Sequence, residues 1–143
     1  MAKEAKHGTL KSVLIVEDSV DFSNLLKFIV EDGGFEGVQF PITGGDIIDW
    51  AKKHKPAAIL MDLALRRKGG MEYIDELKAD PETKNIPIII ITGRDLGYKE
   101  IQELKMRGVK YLRKGRVETD EIKNEIKIAV REKSSSASAE NKE

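Results

Sequence analysis

Five side chains with chemistry of their own stand at or just after the ends of short apolar runs in this sequence. They are two neighbouring carboxylates, a third carboxylate, a hydroxyl and an ammonium group: Glu17, Asp18, Asp62, Thr92 and Lys114. Phosphoryl transfer depends mainly on positioning the reacting groups and on neutralising oxygen charge. If the fold brings these five groups together, they are suited to binding a cation and receiving a phosphoryl group.

The three carboxylates would need a cation, because carboxylates packed together repel one another and raise each other's pKa. Oxygen ligands without His or Cys favour a hard ion, and Mg²⁺ is the expected one. Lys114 would supply a second positive charge. Asp62, a charge near the end of a buried run, is the expected nucleophile. The chain has no cysteine, which excludes disulfides, thiolate metal sites and a Cys nucleophile.

The charge balance limits the classes of partner. Lys plus Arg and Asp plus Glu are both 25, so the formal net charge is zero and no overall attraction draws the chain to nucleic acid or an anionic membrane. The N-terminus lacks an apolar signal-peptide core, and no stretch approaches the ~18 apolar residues of a membrane span. We therefore expect a cytoplasmic protein that binds neither nucleic acid nor membrane.

The apolar runs predict the elements that would position the five groups. Four of them, rich in Val, Ile and Leu, read as strands buried on both faces, and a fifth, shorter and more polar, reads as a strand near an edge. In chain order they are SVLIV (12–16), GVQF (37–40), AAILMDL (57–63), IPIIIIT (86–92) and VKYL (109–112). Helical periodicity separates them, so the sequence predicts an α/β fold: a doubly wound, flavodoxin-like (βα)5 sandwich with a five-stranded parallel sheet and helices on both faces. Ligands bind at the carboxyl ends of such strands, where the five groups would meet.

Local signals place the helix ends and faces. In the first helical segment Phe22, Leu25, Leu26 and Ile29 are expected to share the buried face. Thr43 and Asp46 have capping-box spacing at the start of the second. Residues 1–9 are expected to be a flexible N-terminus, 10–132 the folded domain and 133–143 a disordered tail, because the tail is rich in Ser, Ala and charge with no apolar anchor.

The order of Glu17-Asp18, Asp62, Thr92 and Lys114 on alternating β/α elements resembles the receiver domain of two-component response regulators, of the single-domain chemotaxis type. The resemblance covers residues 10–132. It implies Glu17 and Asp18 as Mg²⁺ ligands, Asp62 as ligand and phosphoacceptor, and the backbone carbonyl of Ala64 as a further ligand.

The same resemblance assigns switching roles. Thr92 and Lys114 would bind phosphoryl oxygens, and Tyr111 would follow the displacement of Thr92. Gly70 matches the glycine eight positions after the phosphoacceptor. Ala64 and Arg94 occupy positions that flank the phosphoryl group and tune its hydrolysis. Arg94 could equally belong to a solvent-exposed basic rim, which consists of Arg66, Arg67, Lys68, Arg94, Arg113 and Arg116.

Two positions depart from the family pattern. Arg66 stands where the family usually has Pro, which makes the loop after Asp62 more basic. Gly115 stands where Pro commonly follows the lysine, often through a cis bond. A cis bond before a residue other than proline costs ~3 kcal/mol, so the lysine loop is open to a trans form of different shape.

The implied function is acceptance of a phosphoryl group from a histidine kinase or histidine phosphotransfer protein, followed by a change in the surface that contacts a downstream protein. The family suggests the face of the fourth helix, fifth strand and fifth helix, around 98–107 and Tyr111. Two alternatives remain. One is a receiver-like adaptor that acts without phosphorylation. The other is an Asp-nucleophile phosphohydrolase of the haloacid-dehalogenase type, which is disfavoured because Ala64 replaces the general acid.

Overall fold

The computed structural model describes the backbone of residues 10–65 and 68–142 and the side chains of 10–65 and 68–132. Five strands alternate with five helices. The strands are β1 (Ser12–Val16), β2 (Glu36–Gln39), β3 (Ala58–Met61), β4 (Ile88–Thr92) and β5 (Lys110–Arg113). The helices are α1 (Val20–Asp32), α2 (Ile47–His54), α3 (Gly70–Ala79), α4 (Tyr98–Met106) and α5 (Thr119–Lys142).

All four strand pairings are parallel, and the strand order is β2-β1-β3-β4-β5. The predicted doubly wound sandwich is therefore confirmed, with the polar strand β2 at an edge. The central strands are buried along their whole length, as their continuous apolar runs require.

Two apolar layers cover the two faces of the sheet. On one face, side chains of α2, α3 and α4 such as Ile47, Ile74 and Leu104 pack against alternate strand residues. On the other face, α1 and α5 contribute side chains such as Ile29 and Ile126. Because strand side chains alternate, each central strand supplies both layers.

The face that α1 buries differs in one position from the prediction. Leu26, Ile29 and Val30 are buried, but Leu25 is 46% exposed. The helix is turned so that Val30, rather than Leu25, completes the buried stripe. Ser19 caps the helix by accepting a hydrogen bond from the Phe22 N–H at 3.3 Å.

Asp46 itself is the N-cap of α2, where the sequence predicted a capping box that begins at Thr43. Its carboxylate accepts hydrogen bonds from the N–H groups of Ile48 and Asp49 at 2.9 and 3.1 Å. A helix beginning at Ile47 places Asp46, rather than Thr43, where its side chain reaches the first free N–H groups.

The last helix is longer than expected. The sequence predicted a disordered tail from residue 133, whereas the backbone is helical to Lys142. No Gly or Pro breaks Thr119–Lys142, and its Ala, Glu and Lys residues favour the helical conformation against its four serines, which are weaker helix formers. The end of the domain at residue 132 stays a prediction, and the predicted flexible segment 1–9 lies outside the described residues.

Candidate functional site

The sheet register brings the ends of β1 and β3 level with each other. Val16 pairs with Met61, and the Asp62 N–H donates to the Val16 carbonyl at 3.0 Å. Glu17 and Asp62, each one residue farther along, therefore emerge side by side at the carboxyl edge of the sheet. At the other side of the edge Thr92 pairs with Arg113, which places Lys114 just beyond the strand end.

An acidic cluster is the result. Glu17, Asp18 and Asp62 each offer a carboxylate oxygen, and these oxygens all lie within 4.8 Å of one another. Glu17 and Asp62 are buried, each 7% exposed, while Asp18 is partly exposed. The donor set is entirely oxygen, and it is open to solvent on the side of Asp18, which fits the requirements of Mg²⁺.

Lys114 lies against this cluster. Its Nζ is 3.0 Å from Glu17 Oε1 and 3.2 Å from Asp62 Oδ2. The same Nζ lies 4.3 Å from the centre of the Phe22 ring, a cation–π geometry that holds the ammonium group from its other side. One cation therefore joins the ends of three separate strands.

The pKa values of Glu17 and Lys114 are shifted first by burial and then by neighbouring charges and hydrogen bonds. Burial raises the pKa of Glu17, and the neighbouring charge of Asp62 raises it further, against the lowering effect of the Ser19 N–H and Lys114. Burial lowers the pKa of Lys114, but the hydrogen bond to Glu17 and the charge of Asp62 outweigh it, so the net shift is upward. The cluster therefore keeps Lys114 charged. Further positive charge would reduce the repulsion among the three carboxylates.

The backbone around Asp62 is tightly ordered. Asp62 Oδ1 accepts a hydrogen bond from the Ala64 N–H at 3.1 Å. Gly70, the first residue of α3, packs so closely that a Cβ there would lie 2.8 Å from both the Asp62 carbonyl oxygen and Leu63 Cα. Only glycine fits this position without displacing the segment that carries Asp62. The role of the Ala64 carbonyl as a metal ligand stays a prediction.

Thr92 and Tyr111 both contact the loop between β4 and α4. Thr92 is fully buried, and its hydroxyl is 3.4 Å from the Arg94 N–H. The Tyr111 hydroxyl donates to the Arg94 carbonyl at 3.1 Å. The loop between β4 and α4 is thus connected to both predicted switch residues.

Arg113 also contacts this loop, a role that was not predicted from the sequence. Its Nε donates to the Gly93 carbonyl at 3.0 Å, and its guanidinium pairs with Asp95. The sequence placed Arg113 only in a general basic rim. The adjacent Lys114 was a signal of its position, but the partner loop was not visible from the sequence.

The other rim residues have separate surroundings. Arg94 is about half exposed, and its guanidinium pairs with Glu100 of α4 at 2.9 Å. Lys68 pairs with Glu76. Arg66 and Arg67 lie outside the described residues. The Lys114–Gly115 bond is trans, as no cis peptide occurs in the described chain, and Gly115 adopts a positive φ of 82° that suits glycine.

No helix within the described residues is both long and apolar enough to cross a membrane.

Comparison with known proteins agrees with this geometry. The family described as "Response regulator receiver domain" matches residues 13–127. The polar-differentiation response regulator DivK of Brucella anthropi is 38% identical over 83 residues, which are 58% of this chain and 67% of that protein.

Solved structures show the same fold. The signal receiver domain of a putative LuxO repressor protein from Vibrio parahaemolyticus has a TM-score of 0.77 at 22% identity, with 92% of this chain and 98% of that chain covered. Chemotaxis protein CheY4 of Vibrio cholerae has a TM-score of 0.71 at 20% identity, covering 84% and 98%. The family match spans nearly all of the sheet and its helices, and the chain belongs to the response regulator receiver domain family.

Proposed function

We propose that this receiver accepts a phosphoryl group on Asp62 from a histidine kinase or histidine phosphotransfer protein and then changes its protein-contact surface. The observation that carries the proposal is the carboxylate of Asp62, held between the acidic cluster and Lys114 at the strand ends. An oxygen of Asp62 forms the new O–P bond as the N–P bond of the donor phosphohistidine breaks, and the released imidazole takes a proton from solvent.

The residues around Asp62 have distinct parts in this step. The Ala64 N–H orients the carboxylate, and Lys114 is positioned to neutralise a phosphoryl oxygen. Mg²⁺ held by Glu17, Asp18 and Asp62 would supply further neutralisation of the phosphoryl charge. Val20, two residues after Asp18, is 72% exposed and offers an apolar contact to a protein donor.

Incubation with Mg²⁺ and a small acyl phosphate tests the proposal. The intact protein should gain the mass of one phosphoryl group. An unchanged mass, when a control receiver is labelled in parallel, would favour an adaptor that acts without phosphorylation. Steady release of phosphate from a phosphomonoester would instead favour a phosphohydrolase.

The output surface would be the face of α4, β5 and α5. Tyr98 and Met106 at the two ends of α4 are 81% and 85% exposed, so both side chains are available to a protein contact. The loop before α4 is connected to Thr92, Tyr111 and Arg113. Movement of Thr92 toward a phosphoryl group would therefore pull on the contacts that hold this face.

Mg²⁺ should stabilise the folded protein, because it relieves repulsion among three carboxylates that are dispersed in the unfolded chain. A ligand that binds only the native state at about 100 times its Kd adds roughly 2.7 kcal/mol to the free energy of unfolding. We expect the melting temperature to rise with MgCl2, and Asp18→Asn to weaken this rise and slow labelling together. Labelling that continues unchanged in excess chelator would contradict the metal role.

Arg94 should lengthen the life of the phosphorylated state. Its exposed pair with Glu100 is worth ~1 kcal/mol or less. A phosphoryl group on Asp62 carries more negative charge than one carboxylate and offers several acceptor oxygens, so it could draw the guanidinium away from Glu100. After the donor is removed, Arg94→Ala should lose phosphate faster than wild type, and Glu100→Gln more slowly. Ala64→Asn, which can hold a water, should also accelerate loss. If the phosphorylated state of Arg94→Ala lives as long as that of wild type or longer, Arg94 does not protect the phosphoryl group and belongs to the basic rim.

A further inference from the structure

A cleft lies at the opposite end of the sheet from Asp62, where β4 and β5 begin. Its volume is about 660 Å³, and it lies between the C-terminal ends of α3 and α4 and the middle of α5. Ile86 and Val109 form a buried floor, and Pro87 and Ile128 contribute apolar walls. This volume lies within the range of ~300–1,000 Å³ that is typical of small-molecule sites.

The cleft is lined by more cations than anions. Its charged residues are four lysines and two glutamates: Lys78, Lys84, Lys105, Lys110, Glu125 and Glu132. Lys110 pairs with Glu125 at 3.2 Å. In a chain whose net charge is zero, this lining concentrates positive charge in one place.

Three of the lysines lack an acidic partner among the side chains that the structure describes. Within residues 10–65 and 68–132, no carboxylate pairs with Lys78, Lys84 or Lys105. Lys78 Nζ donates to the Lys84 carbonyl at 3.3 Å, and burial lowers the pKa of Lys78. When an ammonium group is partly buried without a counter-ion, the binding of an anion beside it stabilises its charged form.

We propose that this cleft binds a small molecule that carries phosphate groups beside an aromatic or apolar portion, the chemistry of a nucleotide. Lysine binds phosphate oxygens as a point charge. The three lysines without an acidic partner outnumber the one lining carboxylate, Glu132, that has no basic partner among the described side chains, so the cleft keeps an excess of positive charge for the oxygens of a diphosphate. The apolar surface of Pro87 and Ile128 is available to a flat ring. The compact cleft favours a small molecule over an extended acidic peptide.

Calorimetric titration of the full chain with ADP tests the proposal, in excess chelator so that the acidic cluster holds no Mg²⁺. ADP should bind saturably at one site, at least about tenfold more tightly than pyrophosphate or adenosine alone. Pyrophosphate lacks the apolar ring, and adenosine lacks the phosphate groups. Lys84→Gln combined with Lys105→Gln should weaken ADP binding at least about tenfold. Both side chains are exposed, so the melting temperature of the variant should match that of wild type.

Two controls locate the site. Lys53→Gln removes an exposed lysine of α2 outside the cleft and should leave ADP binding unchanged. Asp62→Asn should also bind ADP normally, so this result is independent of the phosphoacceptor. A Kd for ADP above about 1 mM, equal binding by the double lysine variant, or tighter binding of an oligoglutamate peptide than of ADP would overturn the proposal.

Discussion

Asp62→Asn should abolish labelling by a small acyl phosphate, while the wild-type chain gains the mass of one phosphoryl group. The amide keeps the shape of the carboxylate, and its oxygen can still accept the hydrogen bond from the Ala64 N–H. It lacks the negative charge that makes the carboxylate a nucleophile, so we expect the loss to be complete rather than partial. Intact mass spectrometry of both proteins, after equal incubation with Mg²⁺ and the donor, measures it.

The geometry also provides a control for this experiment. Glu17 contacts the same ammonium group as Asp62, which makes it the nearest alternative acceptor. In Asp62→Asn, Lys114 keeps its contact with Glu17, so a cooperative melting transition should persist. A phosphoryl group that still appears on the variant would show that Asp62 is not the acceptor, and peptide mapping would then decide between Glu17 and Asp18.

Gly70→Ala should reduce both stability and labelling. The added Cβ would lie 2.8 Å from two backbone atoms, the Asp62 carbonyl oxygen and Leu63 Cα, and backbone cannot move aside as a flexible side chain can. Such overpacking typically costs ~1–3 kcal/mol, which exceeds the gain of up to ~1 kcal/mol from replacing a helical glycine by alanine. The free energy of unfolding, from urea denaturation, should therefore fall.

The effect of Gly70→Ala on labelling follows from the same contact. Displacement of the backbone at Asp62 would shift the carboxylate relative to Lys114, and misplacement of a reacting group by ~1 Å can cost about a hundredfold in rate. Gly44→Ala is the matched control, because a Cβ at Gly44 meets no atom within 4 Å and its φ is not positive. Equal stability of the two alanine variants would contradict this account of the packing at Gly70.

The sequence by itself determined the fold class and predicted the members of the candidate site, of which the structure brings Glu17, Asp18, Asp62 and Lys114 together. Continuous apolar runs that alternate with helical periods specify a parallel sheet with covered faces, since such strands are buried on both sides. In that architecture the carboxyl ends of the strands share one edge, so Glu17, Asp18, Asp62, Thr92 and Lys114 could be assigned to one place without coordinates. The edge position of β2 was also predictable from its polar composition.

The tertiary structure decided which groups touch. Periodicity identified an apolar stripe on α1, but the packing of the helix on the sheet exposed Leu25 and buried Val30. Capping spacing allowed Thr43 to start a box, while the actual start of α2 made Asp46 the cap. These choices depend on how far a helix is rotated about its axis and on the residue at which it begins, which local patterns do not resolve.

Contacts between distant segments were equally beyond the sequence. The link from Lys114 to Glu17 and Phe22 joins positions about a hundred residues apart, and the hold of Arg113 on the loop before α4 depends on side-chain rotamers. The lysine-lined cleft is formed by the C-terminal ends of α3 and α4 together with the middle of α5. A sequence pattern records the spacing of residues along one element, whereas a pairing or a cavity requires the distance between elements, which only the packed sheet and helices define.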